Sequence, residues 1–99
     1  QGKLISPSEV EDIIYRHPSV LEAAVIGVPD KQLGEAIKAV IVLKPGAKAT
    51  AEDIIELCRN YLPPHAVPSL VDFTASLPKS AIGKILKREL KDKYAKQVT

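Results

Sequence analysis

Val20-Leu21-Glu22-Ala23-Ala24-Val25-Ile26-Gly27-Val28 and, further on, Ala36-Ile37-Lys38-Ala39-Val40-Ile41-Val42-Leu43 decide the fold of this 99-residue chain. The first run is rich in Ala, Val and Ile and closes on Pro29-Asp30, too short for a helix, so it reads as a buried strand. The second holds four consecutive β-favouring residues, Val40 to Leu43, and stops at Pro45-Gly46. Between them Asp30-Lys31-Gln32-Leu33-Gly34-Glu35 reads as a surface loop, and an antiparallel hairpin is the simplest way to pair the two strands.

Before the hairpin, Leu4-Ile5 is a short extended segment leading to Ser6-Pro7-Ser8-Glu9-Val10. Ser6 can cap a helix there, Pro7 suits its first position, Glu9 completes a capping box, and Ile5 and Val10 are spaced as a hydrophobic staple. Val10, Ile13, Ile14 and His17 supply the apolar face, with Pro18 as the stop. After the hairpin, Thr50 opens a second helix whose Glu52 and Asp53 suit the positive end of its dipole. Ile54, Ile55, Cys58, Tyr61 and Leu62 form its buried face, and Pro63-Pro64 ends it. Leu70–Phe73 is a third short strand, and 77–83 is a loop. Ile85 or Leu86 starts a last helix with Leu86, Leu90 and Tyr94 four apart. The expectation is one α+β domain, a small sheet of about three strands flanked by three helices, with a short extended N-terminal segment.

With 45% hydrophobic and 26% charged residues, the composition is that of a soluble globular domain with an aliphatic core. One cysteine, Cys58, excludes an internal disulfide and a multi-cysteine metal site, and its apolar neighbours mark it as a buried thiol, with which the expected reducing, cytoplasmic setting is consistent. No apolar run approaches the roughly 18–20 residues of a membrane span. The net charge of +2 is unevenly spread: seven basic residues against two acids between Lys79 and Lys96 give +5 and leave −3 for the first 78 residues. A basic end on an acidic body suits an anionic partner, or is simply a solvated helix face. Nucleic acid is not that partner, because the basic end lacks interleaved aromatics apart from Tyr94.

His17 and His65 lie far apart with no Cys or paired carboxylate at ligand spacing, so no metal site is expected. No Ser-His-Asp set and no Gly-x-Ser-x-Gly elbow is present. Ser80-Ala81-Ile82-Gly83-Lys84 is not a nucleotide-binding P-loop, since no glycine lies between Gly46 and Gly83 and no Ser or Thr follows Lys84. What remains is Pro78-Lys79-Ser80-Ala81-Ile82-Gly83-Lys84-Ile85-Leu86-Lys87-Arg88-Glu89-Leu90. Pro78 stiffens the start of this loop and Gly83 permits a backbone geometry closed to other residues. Lys84 then projects an ammonium that can meet a phosphate or carboxylate and offset developing negative charge. The same residues taken alone also describe a helix-capping glycine beside a solvated lysine.

The wording of Leu77–Leu90 resembles the last core motif of the adenylate-forming superfamily (acyl-CoA synthetases, luciferases and peptide-synthetase adenylation domains). That motif reads Leu-Pro-(Lys or Arg)-Thr-x-(Ser or Thr)-Gly-Lys-(Ile or Val), followed in acyl-CoA ligases by Leu-Arg-Arg-Glu-Leu. Gly2-Lys3-Leu4-Ile5-Ser6-Pro7-Ser8-Glu9-Val10-Glu11 is similar to the stretch after the family's interdomain hinge. Arg16-His17-Pro18, Gly27-Val28-Pro29-Asp30 and Gly34-Glu35 follow in the family's order, so the resemblance covers about residues 1–92. Ile82 stands where many relatives carry Ser or Thr, and His65-Ala66 where they commonly have Tyr-Lys; neither those two positions nor Gln1 receives a role.

The resemblance implies that residues 1–99 are the C-terminal lid domain of an AMP-forming acyl-CoA ligase, whose hinge and large N-terminal domain lie upstream. In such ligases the large domain binds ATP and the acid, and the small domain brings in the motif lysine for acyl-AMP formation. It then rotates to help shape the pantetheine tunnel for thioester formation. Carried over by position, Lys84 is the implied adenylation lysine and Gly2 the implied tunnel glycine, with Pro78 and Gly83 supporting the loop. ATP and CoA are implied as substrates, with Mg2+ bound outside this chain. The implied partners are its own N-terminal domain and CoA or a carrier-protein pantetheine arm. Ile85-Leu86-Lys87-Arg88-Glu89-Leu90 looks like the acyl-CoA ligases of fatty or related acids. The alternatives are a carrier-loading adenylation domain and a non-catalytic module of the same fold. The isolated chain is expected to be inactive in ATP–pyrophosphate exchange, and Lys84 resembles the site acetylated in some of these ligases.

Overall fold

The structure, a computed structural model, describes residues 6–30 and 34–95. Helix α1 (Pro7–Ile14) starts as its sequence dictates: the Glu9 amide donates to Ser6 Oγ at 3.3 Å, and the Ser6 amide donates back to Glu9 Oε1 at 3.0 Å. It stops at Ile14, earlier than Pro18 alone requires. The amides of Arg16 and His17 bond three residues back, tightening the last turn. His17 therefore leaves the apolar face, and its Nδ1 accepts the Ser19 amide at 3.1 Å. The staple partner Ile5 lies outside the described residues.

Strands β1 (Val20–Asp30) and β2 (Gly34–Leu43) pair antiparallel from Asp30↔Gly34 to Val20↔Leu43, with a bulge between Val20 and Glu22. They run further than the apolar residues alone suggest, so Asp30, Gly34 and Glu35 of the expected 30–35 loop are strand. β3 (Leu70–Phe73) joins β2 in parallel, giving the order β1-β2-β3 with β1 at an edge. Pro29 fits inside β1 because its missing amide falls on the unpaired side, in phase with Ala23 and Val25. Helix α2 (Ala51–Tyr61) is capped by Thr50, whose hydroxyl accepts the Asp53 amide at 3.1 Å while the Asp53 carboxylate takes the Thr50 amide at 3.0 Å. A short 3-10 turn (Pro64–Ala66) follows the proline pair. The last helix, α3 (Lys87–Ala95), begins after Leu86, one or two residues later than expected.

The sheet is covered on both faces, which is why its strands read as continuous apolar runs rather than alternating ones. On one face Ala23, Val25, Ala39 and Ile41 pack with Val10 and Ile14 of α1 and Ile54 and Cys58 of α2. On the other Ala24, Ile26, Val28, Val40 and Val42 pack with Leu77, Leu90 and Tyr94. Tyr61 does not join the core. It is 55% exposed, with the Arg16 guanidinium 4.6 Å from its ring centre. The outer edge of β1 is clothed by α1: the Ala23 amide donates to Tyr15 Oη at 3.0 Å and the Val25 amide to Glu11 Oε2 at 2.8 Å.

Candidate functional site

The segment from Leu77 to Leu86 is a small hairpin rather than an irregular loop. Lys79 and Ile85 form an antiparallel bridge, and the Leu86 amide donates to the Pro78 carbonyl at 2.9 Å. Nearer the tip, the Ser80 amide donates to the Lys84 carbonyl and the Gly83 amide to the Ser80 carbonyl, both at 2.9 Å. This is the bonding of a three-residue hairpin loop, whose last loop position calls for positive φ. Gly83 supplies it, at φ +86°, and a Cβ built there would meet no atom within 4 Å. The requirement is thus one of backbone conformation, not of space.

Leu77 is buried and Ile85 packs beside it against the α3-side core, so both ends of the hairpin are anchored. Successive residues of an extended segment point to opposite sides, so Lys84, next to inward Ile85, faces solvent. Its amide donates to Ser80 Oγ at 3.2 Å, a bond across the tip that orients the lysine's backbone. Among the described residues no carboxylate forms an ion pair with Lys84. Ile82, at the tip, is 88% exposed.

The neighbouring basic residues divide into two groups. Lys79 pairs with Glu22 of β1, and Lys87 Nζ lies 2.6 Å from Glu11 Oε2 of α1. Arg88 and Lys91 are exposed on α3. Lys38 lies 3.5 Å from Asp72 and 3.9 Å from the Tyr94 ring centre. Burial, a hydrogen bond to Asp72 and that carboxylate's charge together push the Tyr94 hydroxyl up to about 12. Cys58 is fully buried and desolvation pushes its thiol up to about 11, which keeps it protonated and unreactive.

Sequence reasoning located Pro78, Gly83 and Lys84, and the structure brings these three together in one hairpin. Gly2 lies outside the described residues. Ser80, Glu11 and Glu22 were not singled out, though Glu22 carries a usable signal: a lone charge inside an otherwise apolar run. Among the described residues no group of three or more His, Cys, Asp or Glu converges as a metal-ligand cluster. A groove of about 590 Å³ between α2 and Pro64–Ser69 is lined by Ile55, Leu62, Val67, Arg59 and Ser69, with no acid among its lining residues. Among the described residues no helix is long and apolar enough to cross a membrane.

A family model described as the AMP-binding enzyme C-terminal domain matches residues 9–84, ending on Lys84 itself. The chain belongs to that family. Similar proteins include a long-chain-fatty-acid–CoA ligase of Yersinia pestis, 48% identical over 96% of this chain and 17% of that relative. Another from Bacillus subtilis is 47% identical over 90% of this chain and 16% of the relative. Among solved structures, a Mycobacterium tuberculosis fatty acyl CoA synthetase superposes with a TM-score of 0.90 at 35% identity, over 99% of this chain and 19% of the other. ATP-bound MatB from Rhodopseudomonas palustris gives 0.90 at 32% identity, over 96% and 19%. The AMP-binding C-terminal domain thus spans about a sixth of the length of the curated relatives it matches.

Proposed function

We propose that this C-terminal domain serves an ATP-dependent, AMP-forming acyl-CoA ligase acting on a fatty or related carboxylic acid, and that Lys84 is its adenylation lysine. The observation that carries the reading is Lys84 itself. It is an exposed ammonium with no ion pair to a described carboxylate, held at the end of a hairpin whose tip, turn and base are each hydrogen-bonded. A carboxylate attacking a phosphate brings two negative groups together, and a fixed cation between them lowers the barrier. The large N-terminal domain would supply the ATP, acid and magnesium sites, and Gly2 would line the pantetheine path of CoA. A cytoplasmic setting, in which Cys58 stays a thiol, suits this chemistry. The curated relatives quoted are named as CoA ligases, which favours CoA over a carrier protein as acceptor.

The test joins this chain to the large N-terminal domain of the Bacillus subtilis relative and introduces Lys84→Ala. Acyl-AMP formation should fall about 10²–10³-fold, while thioester formation from supplied acyl-AMP is retained. Equal loss of both half-reactions would mean that Lys84 serves docking or folding instead.

A further inference from the structure

Two ion pairs bracket the lysine hairpin, and both reach across β1. Lys79, five residues before Lys84, pairs with Glu22 on the strand. Lys87, three residues after it, pairs with Glu11 on α1, whose same carboxylate oxygen also accepts the Val25 amide. The hairpin's inner anchors are Leu77 and Ile85, two aliphatic side chains on one side of a short ribbon. Such contacts hold the ribbon down but leave it free to rock about its length, because dispersion is not directional. The ion pairs supply what is missing: one fixed point on the first arm, at Lys79, and one just past the second, at Lys87 where α3 begins.

We infer that Glu22 and Glu11 are positioning residues for the adenylation step, clipping the Lys84 hairpin through Lys79 and Lys87 to the β1 edge. The proposal rests on the reading of Lys84 given above. Pairs that stay partly open to solvent add little to overall stability, and here the lysine side chains keep 39% and 38% of their surface exposed and the acids 23% and 15%. Their consequence therefore falls on the orientation of the ribbon and not on whether the domain folds. The sign of the effect is diagnostic. Glu22 places a negative charge near a reaction between anions, so by its field alone its neutralisation would speed adenylation. A clip predicts the opposite.

The experiment uses the ligase joined as above, with Glu22→Gln, Lys79→Met, their double variant, Glu11→Gln and Lys84→Ala. Glu11→Gln keeps an amide oxygen for the Val25 amide and loses only the pairing charge. Glu22→Gln, Lys79→Met and the double variant should each lose the same two- to fivefold or so in acyl-AMP formation, the range an exposed pair spans, with thioester formation from supplied acyl-AMP unchanged. Glu11→Gln should lose a similar factor. In the 99-residue chain itself, ¹⁵N relaxation should show larger motion at Gly83 and Lys84 in the four variants that break an ion pair, Lys84→Ala excluded, with the melting temperature nearly constant. Faster adenylation in Glu22→Gln, a larger loss in Lys79→Met than in Glu22→Gln, or unaltered relaxation at Gly83 would each overturn the clip. Adenylation that survives Lys84→Ala would instead remove the reading beneath it, so the two failures are distinguishable.

Discussion

Replacing Gly83 by L-alanine and, separately, by D-alanine isolates what that residue contributes. At φ +86° an L-residue sits in the left-handed region, at a cost of about 1–2 kcal/mol. Because a Cβ there meets nothing within 4 Å, no steric term adds to this. In a domain of this size each kcal/mol moves the melting temperature by about 4–8 °C, so Gly83→Ala should melt roughly 5–15 °C lower. D-alanine prefers positive φ and restricts the unfolded chain, so it should gain about 0.4–1 kcal/mol. Both chains can be made by joining two synthetic segments at Cys58, the single cysteine. Calorimetry measures the shift, and amide exchange at Ser80 and Leu86 reports whether the hairpin strains or opens. If it opens, the melting change shrinks while those two amides exchange faster. Equal losses from the two alanines would refute the reasoning, because then space or docking, not backbone handedness, requires the glycine.

Two further outcomes follow from groups on the core and the edge. Cys58 and Tyr94 are held neutral more firmly in the folded chain than in the unfolded one, so the stability they carry is intact below pH 9 and drains as pH rises to about 12. The loss should be of the order of 3 kcal/mol for each group at full titration; urea unfolding that gives the same stability at about pH 8 and pH 11.5 would contradict it. Tyr15→Phe leaves the Ala23 amide without its side-chain acceptor, which should lower stability by about 1–2 kcal/mol and hasten exchange of that amide. Unchanged exchange at Ala23 would show the bond to be of no consequence.

Much of this architecture was legible because local chemistry and tertiary packing agree. Ser6 with Glu9 makes the capping box that their spacing implies, Thr50 opens α2 as expected, and Pro45-Gly46 and Pro63-Pro64 end elements where expected. The misplacements have physical causes. Glycine, proline and charged residues read as turn formers, yet Pro29 and Gly34 stand in strands because an edge tolerates a missing amide and backbone pairing continues to Asp30↔Gly34. Tyr61 shares the period of the α2 apolar face, but Arg16 offers its ring a partner at the surface. At the candidate site Gly83 and Lys84 could be found from their local pattern. Glu11 and Glu22 act on residues more than fifty positions away, and no local pattern encodes such a pairing.

The sheet that is apolar on both sides has one more consequence. Most half-buried sheets hold their alignment because a slip of one residue would turn polar side chains inward. Here a slip would exchange one set of alanines, valines and isoleucines for another at little cost. Alignment must come from the few positions that are not interchangeable. Glu22, Lys38 and Asp72 all emerge on the α3 side, where Lys79 and Tyr94 receive them; one step of displacement would drive them beneath α1 and α2. The charges that tie this layer to its neighbours therefore also work as keys, admitting a single alignment of the strands.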